Sequence, residues 1–181
     1  MRKRLPTFLT EQETDAILGA TWRERDRVMM LVMRYMGLRV SEVVKLRIEH
    51  IDFRARILNV RDAKGGKDRV LPIPKDILGP LRGWAGNRPD GFMFPSPRGG
   101  QLSVRAVQLL LKKLAIKAKL RAATEPRRVT PHKLRHAFCS GKIAKGVDIA
   151  VVRDLMGHSS IAVTDVYAHT TPERLREAME L

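Results

Sequence analysis

The run Val28-Met29-Met30-Leu31-Val32-Met33 restricts the fold of this chain more than any other feature of its sequence. It lies in the middle of a predicted helix from about Arg23 to Met36, and it places apolar side chains on every side of that helix. A helix that is apolar all round has to be buried. We therefore expect this helix in the core, with Tyr35 near its end packed in the same apolar surroundings.

Signals for further helices occur on both sides of this run. Thr10 and Glu13 form a capping box, in which the threonine caps the helix and the glutamate reaches back to the cap. The predicted helices are Thr10 to about Ala20, Ser41 to about Leu46, Ile77 to Trp84, Ser103 to Leu120 (with Val104, Val107, Leu111, Leu114 and Ala118 on its apolar face), Pro131 to Gly146, Asp148 to Met156, and a terminal helix from Thr171 with Leu175, Ala178 and Met179 on its apolar face.

From Ile51 to Pro74 the apolar pattern changes to the alternation typical of β-strands. Ile57–Val60 and Arg69–Ile73 flank a glycine-containing turn, Ala63 to Asp68, and this arrangement predicts a β-hairpin. With 181 residues the chain is long enough for one domain with a sizeable core and too short for two ordinary ones. The expected fold class is therefore α+β, mainly α-helical with a small antiparallel β-hairpin or sheet.

The formal net charge of +16 predicts a partner that carries many negative charges. From Arg105 to Lys142 there are eleven lysines and arginines against one acid, Glu125. Arg105, Lys112 and Lys119 recur every seven residues, and we expect them to form a basic stripe that faces a DNA backbone. Ordinary solvation of a basic helix face stays open as the alternative, because such faces are common.

Three further features of the sequence indicate the cellular compartment of the protein. The single cysteine, Cys139, excludes an internal disulfide and fits a reducing environment. No apolar run approaches the ~20 residues of a membrane span. The basic start of the chain is followed by Pro6 and polar residues rather than by a hydrophobic signal region. We expect a cytoplasmic, nucleoid-associated protein with no membrane partner.

Five polar residues are typical of a site that holds a phosphodiester. His132 and Arg135 lie three residues apart on a predicted helix, so they share a face. His158 follows a Met-Gly pair, and Tyr167 comes nine residues later. Arg39 lies in a predicted turn between two helices and would complete a pair of forked cations for both non-bridging oxygens. A tyrosine beside such a pair is a potential nucleophile.

These motifs resemble the catalytic domain of the tyrosine recombinase (phage integrase) family over nearly the whole chain. That family carries an arginine in G-L-R-x-S-E, a lysine in a β-hairpin, the motifs H-x-L-R-H and L-G-H, and a tyrosine shortly after. The matching residues here are Arg39, Lys64, His132 with Arg135, His158 and Tyr167. Five motifs in the same order are far more specific than any one of them alone.

The hairpin and the start of the chain depart from the family pattern. The hairpin pattern of the family is G-K-G-x-K-x-R. Here Ala63 replaces the first glycine and Lys64 aligns with the catalytic lysine; Lys67 is the alternative candidate for that lysine. Lys67 and Arg69 are also expected to contact DNA. Family members usually carry a helical core-binding domain before this point, which this sequence lacks. We expect residues 1–9 to be a basic linker and residues 10–181 to be the catalytic domain, of either a fragment or a minimal recombinase.

The resemblance implies a role for each matching residue. Arg39 and Arg135 would neutralise the phosphoryl oxygens, and Tyr167 would form a covalent 3′-phosphotyrosine. Lys64 would be the general acid that protonates the 5′ oxygen. His132 would be the general base or would assist it by a hydrogen bond, and His158 would donate a hydrogen bond to a phosphate oxygen. No metal ion and no cofactor are expected, because the cations supply the charge and the covalent bond keeps the energy of the phosphodiester.

The resemblance also implies partners. We expect the protein to bind double-stranded DNA, as a tetramer on paired sites and as a monomer when free. In this family the C-terminal helix often docks on a neighbouring protomer. Exchange of this helix between protomers and folding back onto its own domain are both open at this stage.

Three functions other than recombination are compatible with parts of this sequence. His132 and His136 have helical metal-ligand spacing, but a zinc hydrolase is disfavoured because Lys133 replaces the glutamate of H-E-x-x-H and Arg135 is expected between the rings. A type IB topoisomerase shares the arginine, lysine, histidine and tyrosine set. A non-catalytic DNA-binding relative is expected to have lost a catalytic position, and none is lost.

Overall fold

The structure is a computed structural model, which describes residues 9–61, 68–120, 129–157 and 172–181. Helices predominate in these ranges, and one small sheet lies among them. The helices are α1 Glu11–Gly19, α2 Glu24–Met36, α3 Val40–Lys45, α4 Lys75–Ala85, α5 Val104–Lys117, α6 Pro131–Ala144, α7 Ile149–Met156 and α8 Pro172–Glu180, with a 3-10 turn at Ile48–His50. The strands are β1 Ile51–Asp52, β2 Ile57–Val60 and β3 Arg69–Pro72. The predicted α+β class is confirmed.

Helix α2 lies in the core, as its all-round apolar run predicts. Met29, Met30 and Met33 are each at most 1% exposed. Helices α1, α3, α4 and α6 all pack against α2. Tyr35 is half-buried against the same core. The helix therefore fixes the relative positions of the elements that carry the candidate site.

Gly37 ends α2 and determines how closely α6 approaches it. Its backbone is left-handed, with φ of 59°, a conformation that glycine adopts without steric cost. A Cβ atom at this position would lie 2.4 Å from Cδ1 of Phe138 on α6. The glycine therefore allows the end of α2 to contact α6 directly, two residues before Arg39.

The predicted β-hairpin is confirmed. Strands β2 and β3 are antiparallel, with Leu58 opposite Leu71 and Val60 opposite Arg69. Strand β1 adds a third, two-residue strand on the other side of β2, with Ile51 opposite Leu58. Residues 62–67, which include Lys64 and Lys67, lie outside the described ranges.

Helix α5 has the predicted apolar face but ends earlier than predicted. Val107, Leu111 and Leu114 are fully buried. The helix ends at Lys117, and Lys119 has a left-handed backbone with φ of 53°. Lys119 therefore lies beyond the helix, and the predicted seven-residue stripe is wrong in this respect.

The C-terminal helix α8 packs on its own chain, against α7 and β3. Ala178 and Met179 are buried, as their apolar spacing predicts. The Lys142 ammonium donates to the Met179 carbonyl at 2.9 Å, and burial lowers the pKa of Lys142 to about 8. An ion pair of 2.9 Å joins Arg56 to Glu180. These contacts hold the last turn of α8 against α6 and the sheet.

Two predicted helix starts are confirmed by their side-chain caps. Thr10 and Glu13 exchange both hydrogen bonds of a capping box, of 2.8 and 3.1 Å. Asp148 accepts from the Ala150 amide at 2.6 Å and so begins α7. In the ranges given above, none of the helices combines the length and the apolarity that crossing a membrane requires.

Candidate active site

Arg39 lies in the turn between α2 and α3, where two elements hold it. Its backbone N–H donates to Glu42 Oε2 at 2.7 Å, and its Nη1 donates to Glu42 Oε1 at 2.9 Å. Its Nη2 donates to the Gly157 carbonyl at 3.1 Å. The side chain is about one quarter exposed (26%), so its guanidinium keeps access to solvent and to a ligand.

Arg135 lies on α6, and its guanidinium points into the protein. The residue is only 4% exposed. Its Nη1 donates to the Gly37 carbonyl at 2.7 Å, and its Nη2 donates to the Met156 carbonyl. These two carbonyls lie at the C-terminal ends of α2 and α7, where helix carbonyls lack intrahelical partners and carry partial negative charge. Arg135 therefore joins the ends of two helices beside Arg39.

Glu42 is a buried carboxylate that lies among three arginines, Arg39, Arg69 and Arg135. It is 6% exposed and accepts both prongs of Arg69, at 2.9 and 3.0 Å, as well as the Arg39 contacts. The nearest nitrogen of Arg135 lies 3.8 Å away. Burial acts to raise the pKa of Glu42, but the hydrogen bonds and charges of Arg69 and Arg39 outweigh it and hold the pKa below its ordinary value. Glu42 is therefore ionised at neutral pH.

The charges around Glu42 leave the cluster positive. Three guanidinium groups, of Arg39, Arg69 and Arg135, face one carboxylate. Burial and then the charge of Arg39 lower the pKa of Arg135 to about 10, so it stays charged at neutral pH. A surplus of about two positive charges at a partly open site suits a phosphodiester anion.

Glu42→Gln is expected to lower the free energy of unfolding by about 3–5 kcal/mol at neutral pH, because the three guanidiniums lose their shared counter-ion. The stabilisation by Glu42 is complete above the ordinary pKa of 4.5 and is lost as the pH falls through the lower pKa of the folded state. The difference between wild type and variant should therefore shrink below about pH 4.5. Urea unfolding at several pH values checks this, with the exposed Glu24→Gln as control; a difference that stays constant to about pH 3 would contradict it.

His132 and His136 lie together on α6. Their Nε2 atoms are 2.8 Å apart, and the rings meet edge to face with centroids 4.3 Å apart. The expectation that Arg135 stands between the rings is therefore wrong, because its guanidinium is drawn inward by the two helix carbonyls. Burial, the neighbouring His132 and Arg135 lower the pKa of His136 and so favour its neutral ring, whose Nε2 can accept a hydrogen bond from Nε2–H of His132.

Among the residues that the structure describes, no third metal-ligand side chain joins these histidines. Within the described ranges, His, Cys, Asp and Glu side chains nowhere gather in threes in a way that could hold a metal ion. Cys139 on the same helix is half-buried, and burial raises the pKa of its thiol. A protonated, half-buried thiol is a poor metal ligand, so α6 offers two histidines and no further donor.

The predicted site residues are only partly covered by the structure. Arg39 and Arg135 meet at Glu42, and His132 is exposed on the helix of Arg135. Lys64, His158 and Tyr167 lie outside the described residues, as does Lys67. Gly157, the residue before His158, is bound by Arg39. The roles predicted for these residues stay predictions.

The predicted DNA contacts divide into two groups. Arg105 and Lys112 are exposed on α5, and Lys119 is exposed beyond its end. Arg69 differs, because its guanidinium is committed to Glu42 and its side chain is 11% exposed. Sequence reasoning assigned neither Glu42 nor Arg69 to the arginine cluster. Two signals were available: Glu42 and Arg69 are the last residues of the motifs G-L-R-x-S-E and G-K-G-x-K-x-R. In addition, Arg69 lies two residues before the buried Leu71 on β3, so both side chains share one face of the strand.

Comparison with known proteins identifies the group to which this arrangement belongs. The family model described as "Phage integrase family" matches residues 7–174. The chain belongs to the phage integrase family. The shared motifs therefore lie in a chain that matches the family over most of its length.

Phage integrase family relatives match nearly all of this chain. Tyrosine recombinase XerA of Pyrococcus horikoshii is 38% identical over 183 residues, which cover 98% of this chain and 62% of that protein. Among solved structures, the integrase of mycobacterium phage Brujita has a TM-score of 0.82 at 26% identity and matches 99% of this chain and 59% of its own. A crystal structure of XerA recombinase has a TM-score of 0.76 at 27% identity, over 98% of this chain and 63% of its own. The chain thus spans about three fifths of the length of these relatives.

Proposed function

We propose that this chain cleaves and rejoins DNA as the catalytic domain of a site-specific recombinase, through a covalent 3′-phosphotyrosine. In this proposal residues 10–181 are the catalytic domain and residues 1–9 a basic linker. The observation that carries it is the convergence of Arg39 and Arg135 on the buried carboxylate of Glu42, in a member of the phage integrase family. Two forked cations at one place suit the two non-bridging oxygens of a phosphodiester.

The proposed cleavage step transfers one phosphorus–oxygen bond to the protein. The Tyr167 phenolic oxygen attacks the phosphorus, the bond from phosphorus to the 5′ oxygen breaks, and the phosphate is left bonded to the Tyr167 oxygen and, through its 3′ oxygen, to the DNA strand. Negative charge grows on the non-bridging oxygens during this step. Arg39 and Arg135 stabilise that charge because they are already fixed by Glu42 and by helix carbonyls before DNA arrives.

Two proton transfers accompany this step. A tyrosine with an ordinary pKa of about 10 is roughly three units from ionisation at pH 7, which corresponds to ~4 kcal/mol that cations and a base can offset. His132 takes the phenolic proton or assists its removal, and a neutral His136 beside it can accept a hydrogen bond from the His132 ring. Lys64 gives a proton to the departing 5′ oxygen, and His158 donates a hydrogen bond to a phosphate oxygen. The guanidinium pair supplies the charge that a metal ion supplies in other nucleases, so the step requires no metal.

Rejoining is the same reaction in reverse. A 5′ hydroxyl attacks the phosphotyrosine, the new phosphodiester forms and Tyr167 leaves with a proton. Since the covalent bond retains the energy of the original phosphodiester, no nucleotide is consumed. When the attacking hydroxyl belongs to another duplex, the result is strand exchange.

The proposed partner is double-stranded DNA in the nucleoid. The exposed Arg105 and Lys112 of α5 and the exposed Lys119 supply phosphate contacts on one side of the chain. Two sites have to be cut and exchanged together, which calls for a tetramer on paired sites that dissociates to monomers in free solution. Helix α8 lies on its own chain in the structure, and we propose that it can exchange to a neighbouring protomer in the assembly.

Trapping on a nicked suicide duplex in the presence of a metal chelator tests the proposal. The short fragment beyond the cleavage site diffuses away, so rejoining is blocked and the covalent product accumulates. We expect a protein–DNA band that resists denaturant and forms without added metal or nucleotide. A protein that binds the duplex but gives no such band would contradict an enzymatic function.

A second pair of assays separates a recombinase from a type IB topoisomerase. A recombinase is expected to exchange strands between two duplex sites with little relaxation of supercoiled DNA.

A further inference from the structure

We propose that Arg69 is a positioning residue, which binds Glu42 so that Arg39 and Arg135 remain available to the phosphate. The inference rests on the proposed function, because it assigns Arg69 a part in the same cleavage step. It replaces the expectation of a direct DNA contact at this position. Three observations on the described residues carry it.

The first observation is the bidentate ion pair. Both prongs of Arg69 meet both oxygens of Glu42, at 2.9 and 3.0 Å, whereas the nearest nitrogen of Arg135 lies 3.8 Å from that carboxylate. A paired fork is the strongest geometry between an arginine and a carboxylate. Without it, the free negative charge of Glu42 would hold Arg39 and Arg135 more tightly and cancel part of the charge they offer to a phosphate.

The second observation is a direct contact with Gly157. That glycine has a left-handed φ of 60°, and a Cβ atom there would lie 2.9 Å from both Cδ and Nη1 of Arg69. Arg39 donates to the carbonyl of the same glycine at 3.1 Å. Arg69 therefore binds Glu42 and lies beside Gly157, the two residues that fix the guanidinium of Arg39.

The third observation is the place of Arg69 in the sheet. It is the first residue of β3, opposite Val60, and β3 follows the segment 62–67 that contains Lys64. Both terminal nitrogens of its guanidinium donate to Glu42. Arg69 therefore links β3 to the carboxylate of Glu42, which holds Arg39 and Arg135. Strand β3 follows the segment that contains Lys64. Removal of the Arg69 side chain should therefore disturb the cleavage step more than DNA affinity.

Single-turnover trapping on the suicide duplex, at saturating DNA, tests this role. Arg69→Met is expected to slow covalent product formation by about 10²-fold with little change in duplex affinity, because small displacements of catalytic groups have effects of this size. Arg69→Lys, which keeps one charge without the fork, should be intermediate. Arg54→Met in the exposed β1–β2 turn removes the same charge from the same sheet and should cleave at the wild-type rate.

A double variant distinguishes positioning from a general loss of structure. In Glu42→Gln/Arg69→Met the negative charge that would neutralise Arg39 is gone, while an amide oxygen remains to accept its hydrogen bond, so this variant should cleave faster than Arg69→Met alone. In Arg69→Met itself, Glu42 keeps its contact with Arg39, so the single variant retains one ion pair at this carboxylate. A folded double variant that is no faster than Arg69→Met, or than Arg69→Lys if Arg69→Met does not fold, would overturn the proposal.

A neutral scissile linkage gives a second readout. A methylphosphonate lacks the negative charge that the arginines neutralise, so the defect of Arg69→Met relative to wild type should shrink from about 10²-fold to below about 10-fold. An equal defect on both substrates, or a loss of duplex affinity that accounts for the whole effect, would overturn it. Absence of the covalent band with wild-type protein would instead refute the proposed function.

Discussion

Tyr167→Phe is expected to eliminate the covalent protein–DNA product and to leave duplex affinity unchanged. The substitution removes one oxygen, the atom that forms the bond to phosphorus, and a phenyl ring has no nucleophile to replace it. The product should fall below detection, at least ~10⁴-fold, since water attack at the same phosphate would leave no covalent bond. Gel trapping on the suicide duplex and a parallel binding titration measure the two quantities.

The chain contains its own matched control for this experiment. Tyr35 is the other of its two tyrosines, half-buried at the end of α2, and the Arg34 guanidinium lies 5.1 Å from the centre of its ring. Its ring packs against the core, so Tyr35→Phe should retain the covalent product at the wild-type level. A band that survives Tyr167→Phe and disappears in Tyr35→Phe would reverse the assignment of the nucleophile.

Arg135→Met is expected to reduce the rate of covalent trapping by about 10²–10³-fold, the cost of removing one fixed donor to a developing oxyanion. It should also lower the free energy of unfolding by about 2–4 kcal/mol, because the carbonyls of Gly37 and Met156 lose a buried charged donor. Arg135→Lys keeps the charge but cannot reach both carbonyls and a phosphate with one ammonium group, so it should also be defective.

The two effects of Arg135→Met are separated by measuring trapping well below the melting temperature of the variant. Thermal unfolding by circular dichroism gives the stability, and Arg54→Met serves again as the control for loss of one exposed charge. The methylphosphonate duplex should be cleaved by Arg135→Met with a smaller defect than the natural phosphodiester. A stable variant that cleaves the natural linkage at the wild-type rate would show that Arg135 has only a structural role.

Local signals in the sequence predict the helices and the hairpin well. The apolar run of α2, the capping box at Thr10 and the cap at Asp148 each depend on residues at most a few positions apart, and all three are confirmed. Strand β1 has two residues, too few for an alternating pattern to be recognised. The end of α5 was placed too late because the apolar spacing continues to Ala118 although the helix has already ended.

The sequence predicts individual residues of the candidate site through the family motifs, but it does not predict the contacts between them. Arg39 and Arg135 follow from their motifs, but the charge cluster around Glu42 depends on contacts across long stretches of chain. Arg69 lies 27 residues from Glu42 in sequence, and no local pattern reports the distance between their side chains. The excess of basic residues favoured a DNA contact for Arg69, whereas the alternation of β3 and a buried carboxylate direct its guanidinium inward.

A crystal structure of the trapped complex with the suicide duplex shows which residue carries the phosphate and which side chains bind it. We expect a phosphate bonded to Tyr167, with its non-bridging oxygens within about 2.7–3.2 Å of the guanidinium nitrogens of Arg39 and Arg135. A phosphate bonded to another residue, or one bonded to Tyr167 but out of hydrogen-bonding reach of both arginines, would contradict it.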